Sequence, residues 1–199
     1  MKNKGGITVK KCFALFMILA LVLSCPSAFS ESSYQPKMNM TMDDFINQYN
    51  AIASPLGSPL KLIEKPYQWT LWDKYGVAWF GADSKSGVTI LLESSDPQSS
   101  IQSTSCGLDR IQIYCDKKDD LLPLIAISCR CISLFSPKVF TLDTSYYFVS
   151  EILTLYYENN CQERNLSYQR QMEADGTMYV RFFHDSGYYY FEILDESDL

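Results

Sequence analysis

The sequence predicts a two-layer α+β fold, with antiparallel sheet, in one or two pieces, covered by helices on one face. Three observations predict it. Short runs rich in Trp, Tyr, Val, Phe and Ile alternate with Gly- and Asp-bearing turns over 67–93 and again over 166–194, as antiparallel meanders do. Apolar residues recur at helical spacing over 41–54, 119–135 and 144–159. The two meanders, each preceded by a helix, match one another at an offset near 101 residues, as a tandem duplication of a helix-plus-three-strand unit would.

The first helix, 41–54, opens with Thr41 and Asp44 at capping-box spacing, with Asp in place of the usual Glu. Phe45, Tyr49, Ile52 and Ala53 share a face, and Pro55 and Gly57 end the run. Strands follow at 67–72, 77–82 and 88–93, separated by turns at 73–76 and 83–87. Residues 94–105 form a polar loop and 108–114 a fourth strand. Over 119–135, Leu121, Leu124, Ile125, Ile132 and Phe135 make a helical stripe; Pro123 is tolerated near the start, where its missing N–H has no partner to lose. The helix at 144–159 opens at Asp143 or Thr144 and buries Phe148, Ile152, Leu155 and Tyr156. Strands at 166–173, 177–184 and 188–194 complete the second meander, with Ala174-Asp175-Gly176 and Asp185-Ser186-Gly187 as its turns.

Residues 41–199 are thus expected to form a single domain, with units 41–96 and 144–198 joined by the strand and helix within 106–137. Tyr67-Gln68 corresponds to Tyr168-Gln169, Asp83-Ser84-Lys85-Ser86-Gly87 to Asp185-Ser186-Gly187, and Leu92-Glu93-Ser94-Ser95-Asp96 to Leu194-Asp195-Glu196-Ser197-Asp198. In layout such a protein resembles the small secreted inhibitors of the β-lactamase-inhibitor type. No shared motif carries that resemblance, and function does not follow from fold.

Ahead of the domain, residues 1–30 read as a signal peptide. Lys2, Lys4, Lys10 and Lys11 precede the uncharged run CFALFMILALVLS, and Ala28-Phe29-Ser30 supplies a small-x-small cleavage site. Thirteen helical residues reach about 20 Å, short of a bilayer core, so the run is too short to remain as a membrane span. The run Leu21-Val22-Leu23-Ser24-Cys25 also resembles a bacterial lipobox. That resemblance implies cleavage before Cys25, a lipid on its thiol and tethering to the outer face of a membrane. The expected location is therefore extracellular, secreted or lipid-anchored, with residues 31–40 as a flexible leader.

The chain carries 17 basic and 23 acidic residues; the first thirty hold four lysines and no acid, leaving 13 and 23 and a net charge of −10. That balance, without a basic patch, argues against nucleic acid and anionic lipid as partners. Five cysteines lie beyond the signal: Cys106, Cys115, Cys129, Cys131 and Cys161. Outside the cytoplasm they can oxidise, to at most two bridges with one thiol left over. A buried free cysteine, acting as a small hydrophobe, is the other reading of each.

The chemistry-bearing motifs are absent from the sequence. His184, the one histidine, stands beside Asp185 and Ser186, but three consecutive residues entering a hairpin do not converge as a triad does. Cys129 and Cys131 are too close for a zinc-ligand pair, and no P-loop, G-x-S-x-G or G-x-G-x-x-G occurs. Asp43-Asp44 and Asp119-Asp120 sit in helix first turns, where acids favour the macrodipole. No catalytic, metal or cofactor residue is assigned, and no cofactor is expected.

Strand alternation gives the positive lead. It turns Met178, Val180 and Phe182 inward, with Tyr189, Phe191 and Ile193, and turns Tyr179, Arg181, Phe183, Tyr188, Tyr190 and Glu192 outward. Trp72 joins the outer set from the first meander. Tyr, Phe, Trp and Arg are the types enriched where proteins meet partners, although aromatic pairs also stabilise sheets. The expected function is a non-catalytic binding module for an unknown protein or glycan. An extracellular hydrolase with an unrecognised carboxylate site, or an envelope-associated accessory lipoprotein, are the alternatives.

Overall fold

Thr41 starts the first helix by closing a capping box. Its hydroxyl accepts the Asp44 N–H at 3.1 Å, and the Asp44 carboxylate accepts the Thr41 N–H in return. The computed structural model describes residues 36–62, 67–71, 74–83, 86, 88–96, 104–116, 121–135, 137–164, 166–172 and 178–199. The expected signal peptide, Cys25, Trp72 and Asp119-Asp120 lie outside them. Helix α1 (Met42–Ala53) buries Met42, Phe45, Tyr49 and Ala53, then passes through a 3-10 turn to Gly57 at φ 70°. Strands β1 (Leu60–Leu62), β2 (Tyr67–Leu71), β3 (Lys74–Asp83), β4 (Thr89–Ser94) and β5 (Arg110–Cys115) follow. Helices α2 (Leu121–Phe135) and α3 (Leu142–Glu158) precede β6 (Tyr168–Gln171), β7 (Met178–Asp185) and β8 (Tyr188–Asp195).

All strand pairs are antiparallel and form one sheet in the order β1-β3-β4-β5-β8-β7-β6, with β2 also paired to β3. The α+β class is therefore as the sequence predicts, with one sheet rather than two. Ile90 and Leu92, Ile111 and Ile113, Phe191 and Ile193, and Val180 and Phe182 alternate into a single core. From the helices come Phe45 and Tyr49, Leu124 and Ile132, and Ile152 and Tyr156. Phe182 makes a T-shaped contact with Tyr156 at 4.8 Å and a tilted one with Phe191 at 4.7 Å, centroid to centroid. The opposite face of the sheet is left to the outward residues.

Several expectations are corrected. Strand β1 has no counterpart in the sequence reading; three residues are too few to show a period. Helix α3 opens two to three residues early, because Thr141 rather than Asp143 or Thr144 is the cap: its hydroxyl accepts the Thr144 N–H at 3.3 Å. Within the leader expected to be flexible, residues 36–40 are tied down. The Lys37 N–H donates to Asp109 Oδ1 at 3.0 Å, Met38 is buried and bonds the Leu108 carbonyl at 3.1 Å, and Leu108 returns a bond to Met40. Met38 is an apolar anchor that a composition argument overlooks.

Cys106, Cys115, Cys129, Cys131 and Cys161 are all buried and no disulfide joins them, so the bridging of candidate pairs gives way to their reading as small core hydrophobes. Burial pushes the Cys129 thiol up to about 12 and Cys131 higher still, with Arg130 opposing in both cases.

Candidate functional site

The site grows from a two-residue hairpin. Asp185 faces Tyr188, and between them Ser186 and Gly187 take φ of 50° and 89°, the left-handed pair of a primed turn whose twist matches the strands it joins. That turn sets the register of β7 and β8, placing Phe183 against Tyr190, Arg181 against Glu192 and Tyr179 against Leu194. On the other side of β8 lies β5, with Tyr114 against Tyr190, Gln112 against Glu192 and Arg110 against Leu194. Alternation turns all of these away from the helices.

Four cross-strand rows result. At the hairpin end stand Tyr188 and Asp185, both exposed, with Tyr188 at 38% the most exposed ring of the set. Next is an aromatic row. Phe183 and Tyr190 stack at 4.7 Å and 8°, Tyr114 tilts against Tyr190 at 5.6 Å, and Tyr188 and Tyr114 form a T-shaped pair at 6.0 Å. The guanidinium of Arg181 lies over Phe183, 5.5 Å from its centroid. Phe183 and Tyr190 thus turn ring faces on one another, and Arg181 lies over Phe183. Burial raises the Tyr190 pKa, with Asp185 adding to the effect.

The third row is ionic. Glu192 has no solvent exposure although it points outward, correcting its expected place among exposed groups. Arg181 donates to its Oε2 from Nε at 2.7 Å and from Nη2, Gln112 donates to Oε1 at 2.6 Å, and Arg110 Nη2 donates to the same oxygen. Burial alone pushes Glu192 up, but the two guanidinium groups outweigh it and hold the carboxyl below its ordinary range. Glu93 on β4 is the reverse: burial raises it, and Arg110, 3.4 Å away, offsets that only in part. Arg110, Leu194 and Tyr179 make the fourth row.

Beside the aromatic and hairpin rows is an open hollow of about 310 Å³ lined by Leu166, Ser167, Arg181, Phe183, His184 and Asp185. Tyr179, Arg181, Phe183, Tyr188 and Tyr190, expected on one face, are on one face. His184, Asp185 and Ser186 lie along a strand end and its turn, with Ser186 Oγ bonded to Asp185 Oδ1 at 3.2 Å. Asp44 is spent on its cap, and Asp43 accepts from the Thr104 hydroxyl. Sequence reasoning did not include Tyr114, Gln112 and Arg110, because it placed their strand in a connector without a neighbour. Their alternation in LDRIQIY is the signal that could have found them. Among the described residues, no group of three or more His, Cys, Asp or Glu could hold a metal ion.

Compared with family models, with curated proteins and with solved structures, the chain matches none.

Proposed function

We propose that the protein acts outside the cytoplasm as a non-catalytic binding module, whose contact surface is the outer face of β5, β8 and β7 and whose partner is another protein. The observation that carries this is the aromatic row Tyr114–Tyr190–Phe183, locked ring against ring beneath an exposed Tyr188. Rigid, partly exposed aromatics cost little entropy on contact and serve as binding hot spots. A sugar stacks flat on a free ring face, and the Phe183–Tyr190 stack with Arg181 over Phe183 leaves less ring face for one, which favours a protein over a glycan. The N-terminal lysines, apolar run and Ala28-Phe29-Ser30 support export, and Leu21–Cys25 supports a lipid-anchored variant of it.

The hydrolase alternative finds a superficial pair in Glu93 and Glu192, whose pKa values move in opposite directions as those of an acid and a base do. Glu192, however, is sealed from solvent and its oxygens are taken by Arg110, Gln112 and Arg181, so it cannot reach a substrate. The test is affinity capture from extracellular material of the native host, with wild type, Y188S/Y190S and Y146S/Y147S as baits; the last pair lies on α3 and is exposed. Loss of one defined partner with Y188S/Y190S alone supports the surface. Equal capture by all three refutes it. Intact mass of the native protein, starting at Glu31 or at a lipidated Cys25, tests export; a chain retaining Met1 refutes it.

A further inference from the structure

We propose that the lipid-anchored form of the protein rests on a zwitterionic phospholipid surface through Val139, Leu142, Tyr146 and Tyr147, exposed apolar side chains at the start of α3. The contact depends on the lipid-anchored reading given above, which tethers the chain at Cys25, and adds which end of the domain meets the membrane. Tyr147 is 74% exposed, and the other three side chains are exposed as well. Leu142 and Tyr146 are four residues apart on one helix and so are neighbours on its surface. Tyr146 and Tyr147 form a T-shaped pair at 6.3 Å, and the Thr144 hydroxyl donates to the Val139 carbonyl at 3.0 Å, which holds the preceding turn against the helix. Behind them Phe140, Phe148 and Val149 are buried, so the exposed set stands on anchored backbone rather than on a frayed end. The charges within 137–147 are Lys138 and Asp143, one of each sign and both exposed. Such a surface offers nothing to anionic headgroups in particular, and tyrosine rings favour the headgroup level of a bilayer.

Where the leader enters the domain says what these side chains meet. The Lys37 N–H is bonded to Asp109, the Met38 N–H to the Leu108 carbonyl, and the Lys37 ammonium to Asp198 at 2.6 Å. These bonds fix the leader to the end of the sheet where β5 starts and β8 finishes. Phe135, the last residue of α2, stacks on Phe45 in the first turn of α1 at 6.4 Å, and that turn is itself bonded to the carbonyls of Thr104 and Cys106, just ahead of β5. The turn from α2 to α3, and the exposed set with it, therefore lies at the leader's end of the domain. From Cys25 to Pro36 the chain reaches at most about 40 Å. A lipid on Cys25 thus keeps this end close to the bilayer, where the high local concentration lets a small apolar contact form that free solution would not support. Strand β8 runs from this end to Tyr188, about 24 Å along the strand, so the hairpin end stands clear of the lipid and open to a partner.

The test takes the protein as its native host exports it, purified from membranes and placed in phosphatidylcholine nanodiscs that carry a spin label at the headgroup. NMR line broadening then reads which residues lie near the lipid. Broadening is expected at the Tyr146 and Tyr147 rings and the Val139 methyl groups, with the Tyr188 ring left sharp. L142S/Y147S should reduce the broadening of Val139 and Tyr146 at least about five-fold. L122S/Y157S removes the same residue types, also exposed, from the start of α2 and the end of α3, and should reduce it less than about two-fold. Melting temperatures of both variants should stay near wild type, since all four side chains are exposed. Strongest broadening at Tyr188 or Leu122, even broadening over the whole surface, or equal losses for the two pairs would overturn the contact while leaving the lipid anchor in place. A native protein without lipid on Cys25 would overturn the anchor and the contact together, and the binding face of β5, β8 and β7 would stand.

Discussion

Arg181 donates from Nε to Glu192 Oε2 at 2.7 Å, straight across the β7–β8 pair, on a carboxylate that no solvent touches. With Arg110 on the other oxygen, the group is an Arg–Glu–Arg bridge spanning three strands. Removing the central anion leaves two half-buried guanidinium groups facing each other. Glu192→Leu is therefore expected to cost about 3 kcal/mol or more in urea unfolding at neutral pH. A loss below about 1 kcal/mol would place the cluster with ordinary surface pairs.

The same cluster sets opposite pH dependences for its two carboxylates. Glu192 is held below its ordinary value, so its contribution is full above the unfolded value of about 4.3 and drains as pH falls through the lower folded one. Glu93 is held above, so its contribution is full below the unfolded value and is lost as pH rises through the folded one. Between pH about 4 and 7, Glu192→Gln should lose stability relative to wild type, and Glu93→Gln should gain it. Denaturant midpoints across that range check the signs; slopes of the same sign would show that Arg110 does not divide its field in this way.

The buried thiols give a third expectation. The burial that pushes Cys129 to about 12 also keeps reagents out. The chain from Glu31 should show no fast-reacting thiol with a disulfide reagent when native and five when denatured. Its melting temperature should not move with reductant. Fewer than five thiols after denaturation would restore a bridge.

Elements with a strong period were legible: α1, α2 and the three strands of the second meander all lie within a few residues of their expected bounds. The inner hairpins also keep the offset that suggested duplication. Val77 faces Ser94 as Met178 faces Asp195, and Ala82 faces Thr89 as Phe183 faces Tyr190, each pair 101 residues from its counterpart. The outer strands depart from it, since Tyr67 faces Ala78 while Tyr168 faces Phe182, three places beyond the matching position. We therefore keep duplication as a proposal supported by the inner registers alone. What the sequence could not show was the neighbour of β8. Only the pairing of β5 with β8 brings Tyr114 to Tyr190 and Arg110 to Glu192, and a contact between residues about eighty apart leaves no local period.

The last prediction separates an open face from a covered one. Tyr188 is exposed at the end of the outer face, Tyr190 stands between Tyr114 and Phe183, and Phe182 is fully buried behind the same sheet. Tyr188→Ser removes at most the sheet-pair contribution of about 0.2–1 kcal/mol. Tyr190→Ser breaks two such pairs and should cost about 0.4–2 kcal/mol. Phe182→Ala opens a cavity against Tyr156 and Phe191 and should cost about 3–5 kcal/mol. At about 2–4 °C per kcal/mol for a domain of this size, thermal melts separate Phe182→Ala from the two tyrosine variants. If Tyr188→Ser falls as far as Phe182→Ala, then something covers the hairpin end in the folded protein, and that end is not available to a partner.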